Sequence, residues 1–308
     1  MLRFPIHVGF CAPSRAIQNI STAAMAKLFF TDRGAQVSFD DTVFLNEKQF
    51  AGNDALRLAG LMSMANNPDV DLVMPIRGGY GITRLLDDID FEAIARSNKV
   101  FCGYSDFTAF NLAYFAKTGK VSFQGPCGTD FVDQEEPLTI ESLHNALFSS
   151  QWLLKFPSAG VGSLQLNGTL WGGNLSMLLS LLGTPYFPQV KDGILFIEDG
   201  NERAYRLERM LLQLDMAGVL KQQKAIILGD FRDADPSHPR QNDYLFDDCI
   251  RFIQSRVPHC PIITGLPFGH SPRKATLPVG AHVQLYTQKG FVYLSTREHP
   301  RIKQQPRE

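Results

Sequence analysis

Three polar residues of this sequence each stand beside an apolar, strand-like run, and together they could carry out nucleophilic catalysis. Ser105 lies in the turn of VFCGYSDFTAF, Glu198 near the end of GILFIEDG, and His270 at the end of PIITGLPFGH. A serine hydroxyl attacks a carbonyl carbon when a histidine accepts its proton, and a carboxylate can orient that histidine. The three residue types would therefore supply a nucleophile, a general base and an orienting acid.

Each of these residues also has a plain structural interpretation. Ser105 could cap the helix that follows it, because serine is a favoured N-cap residue. Phe107 occupies the place of the second glycine in the usual G-x-S-x-G nucleophile turn. Glu198 could be a solvated turn acid, and His270 could be a hydrogen-bonded loop residue. The order Ser, Glu, His, which α/β-hydrolases also use, favours the catalytic interpretation when the three are taken together.

The segment RGGYG, residues 77–81, follows a further strand-like run, VDLVMPI. Adjacent glycines let backbone N–H groups approach an oxyanion or a carboxylate closely, although a plain turn is the alternative. The segment is not a dinucleotide-binding fingerprint, because Arg84 stands at the third glycine position, and it is not a Walker A loop. The sequence contains no HExxH, EF-hand or Cys/His cluster, so a metal is not expected.

The elements that must hold these residues differ between the two halves of the chain. Short apolar runs alternate with helix-like segments up to VSFQGP, which predicts an α/β unit with a mostly parallel sheet. PSAGVGS, residues 157–163, is predicted to be a linker. The second half is richer in strands, and residues 166–183 are predicted to be a turn followed by a buried helix.

Composition narrows the possible classes of protein. The net charge is −1 and no run of Lys or Arg occurs before the C-terminal tail, so nucleic acid and anionic membrane are not expected partners. Five cysteines without a CxxC pair indicate reduced thiols in a cytoplasmic protein. The apolar run LSMLLSLLG is too short to cross a bilayer, and MLRFPIHVGFCAP is read as a first strand rather than a signal peptide.

Several blocks of the sequence, in this order, resemble those of the LD-carboxypeptidase family, serine peptidase family S66. The blocks are RGGYGITRLLDDIDF, GYSDFTA, GTLWGGNLSMLLSLLGTP, ILFIEDGNERAYRLERMLLQL, AIILGDF and ITGLPFGHSPRKATLPVGA. The resemblance implies a Rossmann-like N-terminal domain, residues 1–156, that carries the nucleophile. It also implies a β-rich C-terminal α/β domain, residues 164–308, that carries the other two triad members, with the active site at the interface.

The resemblance further implies roles for individual residues. Ser105 corresponds to the nucleophile, His270 to the general base and Glu198 to its orienting acid. The backbone N–H groups of Gly79 and Asp106 correspond to the oxyanion hole, with Gly78 as the alternative glycine. The implied activity is hydrolysis of the L,D peptide bond between meso-diaminopimelate and terminal D-Ala of murein tetrapeptide, in cell-wall recycling, by a homodimer that requires no metal or organic cofactor.

Two other functions remain open at this point. A microcin-immunity type peptidase of the same family would cleave peptidyl- or aminoacyl-nucleotides, and a non-catalytic protein would only bind a small ligand in the same cleft. The residues that bind the substrate's carboxylate and amine are also open. The sequence offers four candidates close to the motifs: Arg77, Arg84, Glu202 and Arg203.

Overall fold

The first half of the chain forms a four-stranded parallel sheet. The computed structural model describes residues 1–132 and 136–303. The sheet has the strand order β2-β1-β3-β4, and every neighbouring pair is parallel. Its strands are β1 (His7–Cys11), β2 (Gln36–Phe39), β3 (Leu72–Pro75) and β4 (Val100–Phe101). The helices of this half are α1 (Ser21–Asp32), α2 (Asp54–Asn66), α3 (Phe91–Arg96), α4 (Thr108–Thr118) and α5 (Pro137–Phe148).

The second half is built on a seven-stranded mixed sheet with the order β10-β9-β8-β7-β12-β13-β6. The first four of these strands are parallel, and the last four are joined by antiparallel pairs. Its strands are β6 (Trp152–Pro157), β7 (Gln165–Asn174), β8 (Gly193–Glu198), β9 (Gln223–Leu228), β10 (Ile262–Ile263), β12 (His282–Gln288) and β13 (Phe291–Thr296). The helices of this half are α6 (Leu175–Ser180), α7 (Ala204–Met216) and α8 (Phe246–Arg256).

The two halves are joined by shared secondary structure and a shared core. The strand β5 (Ser122–Gln124) of the first half pairs antiparallel with β11 (Leu277–Val279) of the second. One buried apolar cluster includes side chains of both large sheets, among them Phe101 of β4 and Trp171 of β7. Because the interface is packed like a domain core, side chains from opposite halves can be held in fixed contact. Within the described residues, no helix is both long and apolar enough to cross a membrane.

The predicted parallel α/β unit and the predicted β-rich C-terminal α/β unit are confirmed, but the turn predicted at the start of residues 166–183 is wrong. Residues 166–174 form most of the ten-residue strand β7 instead of a turn, and the predicted helix follows as the short helix α6. The glycines that suggested a turn lie inside the strand. A Cβ at Gly172 would stand 1.9 Å from the Phe196 carbonyl oxygen, and one at Gly173 would stand 2.2 Å from Gln124 Nε2. Glycine is needed there because neighbouring backbone and side chains approach so closely.

The chain enters the larger sheet before the predicted linker. The strand β6 pairs with β13 along its whole length, from Trp152 opposite Thr296 to Pro157 opposite Phe291. Residues 152–156, which the sequence assigned to the N-terminal domain, therefore lie in the seven-stranded sheet. The exact domain boundaries remain a prediction.

Candidate active site

The carboxyl ends of β3 and β4 bring two of the predicted segments together. Residues 77–81 follow β3, and Ser105 follows the adjacent strand β4, so the two loops emerge at one edge of the parallel sheet. Ser105 has a φ of 59°, a left-handed conformation that is strained for a residue with a side chain. Such strain is typical of a turn that projects a nucleophile from a sheet edge.

Ser105 does not act as a helix cap. The residue in the cap position of the 3₁₀ turn Ser105–Phe107 is Tyr104, which makes no side-chain cap bond. The Ser105 hydroxyl instead lies 3.2 Å from His270 Nε2. Ser105 as a whole is half-buried. Its hydroxyl is therefore partnered by a base rather than by the start of the helix.

Glu198 is fully buried, which rules out a solvated turn acid. It is the last residue of β8, and it lies in register opposite Asn174, the last residue of β7. One carboxylate oxygen accepts a hydrogen bond from His270 Nδ1 at 2.9 Å, and the other accepts from Asn174 Nδ2 at 3.1 Å. Because both oxygens are bound, the carboxylate is fixed in the orientation that holds the imidazole.

His270 completes a chain of contacts from Ser105 to Glu198. With Nδ1–H donating to Glu198, Nε2 is left to accept the Ser105 proton. Burial lowers the pKa of His270, but the hydrogen bond and the charge of Glu198 outweigh this, so the pKa is raised above the ordinary histidine value. The Tyr104 ring packs edge-on against the imidazole, with centroids 5.3 Å apart.

Gly78 and Gly79 line the space next to the nucleophile. A Cβ at Gly78 would stand 2.9 Å from Ser105 Cβ, 3.1 Å from its hydroxyl oxygen and 3.4 Å from the backbone nitrogen of Asp106. The next peptide N–H along the chain belongs to Gly79, whose φ is 114°. Neither this N–H nor that of Asp106 has a backbone acceptor within residues 1–132 and 136–303. Both amides therefore remain candidates for the oxyanion hole.

The carboxylate of Asp106 braces this half of the site. It is fully buried and accepts hydrogen bonds from the Ser14 hydroxyl at 2.6 Å and from the Ile82 N–H at 2.9 Å. Burial raises the pKa of Asp106, and these two hydrogen bonds partly oppose the rise. Because Ile82 directly follows residues 77–81, this side chain ties the glycine segment to the nucleophile turn.

Only one of the four charged candidates for substrate recognition borders the nucleophile turn. Arg77 precedes Gly78, is half-buried, and donates one hydrogen bond to the Ala16 carbonyl at 3.1 Å. Burial and the neighbouring Arg15 lower the pKa of Arg77. The other three are engaged elsewhere: Arg84 with Asp54, Glu202 with Arg206, and Arg203 with the carbonyls of Asp233 and Asp235.

Sequence reasoning missed Asn174 and Ser14, which both shape the site. Asn174 was overlooked because its block was interpreted as a turn, although a polar residue after the apolar run GTLWGG is a usable signal. Ser14 had no local signal at all, since its partner Asp106 lies 92 positions away. Sequence patterns report neighbours along the chain rather than neighbours in space.

Comparisons with known proteins agree with this architecture. Two family models match the chain, the LD-carboxypeptidase N-terminal domain over residues 8–125 and the LD-carboxypeptidase C-terminal domain over residues 167–285. The chain is 33% identical over 267 residues to a probable murein peptide carboxypeptidase of Bacillus subtilis strain 168, which covers 85% of this chain and 83% of that protein.

Two further relatives differ in what their names describe. The crystal structure of a muramoyltetrapeptide carboxypeptidase from Oxalobacter formigenes matches with a TM-score of 0.88 at 39% identity, covering 96% of this chain and 99% of that one. The microcin C7 self-immunity protein MccF of Escherichia coli is 28% identical over 251 residues, covering 71% of this chain and 72% of that protein.

Proposed function

This chain belongs to the LD-carboxypeptidase family of serine peptidases, and we propose that it hydrolyses the L,D peptide bond between meso-diaminopimelate and terminal D-Ala of murein tetrapeptide. The observation that carries the proposal is the contact chain from Ser105 through His270 to Glu198 across the interface. The names of the Bacillus and Oxalobacter relatives support the substrate. Cell-wall recycling is the corresponding role.

The first half of the reaction forms an acyl-enzyme. His270 Nε2 takes the Ser105 proton as the Oγ attacks the carbonyl carbon, and ionised Glu198 stabilises the resulting imidazolium. The carbonyl oxygen becomes an oxyanion that accepts hydrogen bonds from the Gly79 and Asp106 N–H groups; one such donor contributes about 3 kcal/mol in well-studied enzymes. The C–N bond then breaks, and the imidazolium protonates the nitrogen of the departing D-Ala.

The second half releases the tripeptide. Water enters the place left by D-Ala and gives one proton to His270 as its oxygen attacks the ester carbon. The same two N–H groups hold the second oxyanion. The Ser105–acyl bond breaks, His270 returns the proton to the serine oxygen, and the tripeptide leaves with a new carboxylate. Each step uses only groups of this chain, the substrate and water.

Recognition of the substrate's terminal carboxylate is assigned to Arg77, supported by Arg15. Arg15 packs against Gly79, since a Cβ at that glycine would lie 2.6 Å from Arg15 Cβ. The two guanidinium groups are close enough for Arg15 to lower the pKa of Arg77, so an anion between them would relieve their repulsion. We expect Arg77→Met to raise KM for tetrapeptide about tenfold or more, with a smaller change in kcat.

The test of the proposed function is mass spectrometry of tripeptide, tetrapeptide and pentapeptide after incubation with the purified protein. We expect loss of one D-Ala from the tetrapeptide alone, and no release by Ser105→Ala. Release at the wild-type rate by Ser105→Ala would show that the serine-peptidase mechanism is wrong. Size-exclusion chromatography and cell fractionation test the homodimer and the cytoplasmic location that accompany this proposal.

A second candidate function is supported by the match to the microcin C7 self-immunity protein. In that case the same triad would cleave a peptidyl- or aminoacyl-nucleotide. The discriminating measurement is a direct competition between murein tetrapeptide and an aminoacyl sulfamoyl adenosine. Preferential cleavage of the aminoacyl sulfamoyl adenosine would favour the nucleotide-cleaving function over murein tetrapeptide hydrolysis.

A further inference from the structure

A buried lysine lies directly behind the histidine of the site. Lys274 is 1% exposed and follows His270 by four residues. Its ammonium group contacts the Gly269 carbonyl at 3.0 Å, the Ser271 carbonyl at 2.5 Å and the Asp130 carboxylate at 3.1 Å. An ammonium has three N–H donors, so these three acceptors satisfy it completely.

We propose that Lys274 is a positioning residue, whose ammonium group, paired with Asp130, fixes the His270 imidazole against Ser105. The two carbonyls that it binds belong to the residues immediately before and after His270. Holding both peptide groups restricts the backbone that carries the imidazole. The inference rests on the proposed function, because it concerns the base of the same reaction.

The cation also connects the two halves of the molecule. Asp130 lies in the 3₁₀ turn Gly128–Phe131 of the N-terminal half, where its other carboxylate oxygen accepts from the Cys127 N–H at 2.8 Å. The backbone N–H of Lys274 donates to the Thr139 hydroxyl of α5 at 2.8 Å. The segment that carries the histidine is thus anchored to the half that carries the serine.

The same anchoring continues on both sides of Lys274. The Thr139 hydroxyl donates to the Pro272 carbonyl at 2.8 Å, and the Thr276 N–H donates to the Ser142 hydroxyl at 2.8 Å. Lys274 Nζ also lies 4.4 Å from the centroid of the Tyr104 ring, which packs on the imidazole. A displaced base costs up to about 100-fold in rate when its alignment shifts by an ångström.

The pair acts on His270 electrostatically as well. Burial and the charge of Lys274 lower the pKa of His270, whereas Glu198 and Asp199 raise it. Burial raises the pKa of Asp130, and the charges of Lys274 and of a protonated His270 partly oppose this rise, so ionised Asp130 and the imidazolium favour each other. The charged or titratable groups around the histidine are Glu198, Asp199, Lys274, Asp130, Tyr104 and, across Gly269, Asp230.

The experiment compares Lys274→Met with Asp130→Asn in the full-length protein. We expect Lys274→Met to lower kcat about tenfold or more and to move the acidic limb of kcat/KM to higher pH. The ammonium group of Lys274 opposes protonation of His270, so we expect its removal to raise the pKa of His270 by on the order of one unit. Asp130→Asn removes an anion that favours the imidazolium, and the limb moves to lower pH.

A direct titration separates this inference from the proposed function. The pKa of His270 is read by NMR in each variant, with the resonance assigned by its loss in His270→Gln; no substrate is needed. If the wild-type protein releases no D-Ala, the proposed function is wrong, and the titration still tests the lysine. An unchanged kcat together with an unchanged His270 pKa in Lys274→Met would overturn the positioning role.

A matched control removes the charge of another buried carboxylate, Asp215 of α7, whose ion-pair partners do not include the histidine. Asp215 is fully buried and accepts from Arg256 at 2.9 Å. We expect Asp215→Asn to lower the thermal stability while leaving kcat and the His270 pKa unchanged. If Asp215→Asn and Lys274→Met changed both quantities equally, the effect of the lysine would be general destabilisation, and the proposal would be wrong. Thermal unfolding of all variants confirms that each is folded at the assay temperature.

Discussion

The two halves of the site are organised by different physical means. In the N-terminal half, Ser105, Gly78 and the N–H groups of Gly79 and Asp106 are placed by backbone conformation and close packing. In the C-terminal half, His270 is held by hydrogen bonds to charged side chains, Glu198 on one ring nitrogen and Lys274 on the flanking carbonyls.

This difference predicts how each half responds to change. A site formed by backbone shape is sensitive to added atoms and insensitive to charge, because its donors are neutral N–H groups that do not titrate. A site formed by buried charges is sensitive to neutral isosteres and to pH, because each charge sets the protonation of its neighbour. The four predictions below test this contrast, from the largest expected effect to the smallest.

The C-terminal half should fail when a charge is removed at constant shape. Glu198→Gln keeps the size of the side chain but cannot stabilise the imidazolium, and its amide can hold His270 in the wrong tautomer. We expect kcat for D-Ala release to fall about 10⁴-fold with the fold intact. The exposed Glu141→Gln on α5 is the control. If Glu198→Gln retained a tenth or more of the wild-type kcat, the C-terminal half of the site would not depend on buried charge.

The N-terminal half should fail when a single methyl group is added. Gly78→Ala places a Cβ 2.9 Å from Ser105 Cβ and 3.1 Å from its hydroxyl oxygen, in the space assigned to the oxyanion. We expect kcat to fall about 10²- to 10³-fold, the loss typical of a disabled oxyanion hole. Gly162→Ala is the control, because no atom lies within 4 Å of its added Cβ. Equal activity of the two variants would place the oxyanion elsewhere.

In the N-terminal half, loss of charge alone should matter little. Asp106→Ala leaves the buried Ser14 hydroxyl and Ile82 N–H without their acceptor, so we expect a loss of about 1–3 kcal/mol in the free energy of unfolding, with reduced activity. Asp106→Asn keeps an acceptor oxygen, so we expect this variant to retain most of its stability and most of its activity. Chemical denaturation and kcat are measured on both variants. An Asn variant as impaired as the Ala variant would show that the charge itself is required.

The acidic limb of the pH–rate profile should come from the titration of His270, which lies in the C-terminal half. The raised pKa of His270 means that the neutral, base-competent imidazole is lost at a higher pH than for an ordinary histidine. We expect the acidic limb of kcat/KM to lie above about pH 6.5. The same raised pKa stabilises the fold most at low pH, a contribution that is lost as the pH rises through the folded-state value. A limb below pH 6 in a pH–rate profile would contradict this assignment.

The sequence identified the chemistry of the site because the end of a strand can be recognised locally, as a polar residue or a glycine segment after an apolar run. Ser105 and the glycine segment 77–81 follow apolar runs that became β4 and β3, and Glu198 closes the run that became β8. In a parallel sheet, such ends gather at one edge, so the pattern located candidate residues without showing their contacts. The mistaken turn at Gly172 and Gly173 came from the same reasoning, because glycine marks a turn and a close approach alike.

Only the tertiary structure decided which of these candidates meet. Ser105 and His270 are 165 positions apart, and Lys274 and Asp130 come from opposite halves of the chain. Local composition determines which residues start a strand, end a helix or stand in a turn. Which side chains contact each other across an interface depends on how both sheets pack on one core. That packing places the His270 imidazole between the Glu198 carboxylate and the Ser105 hydroxyl.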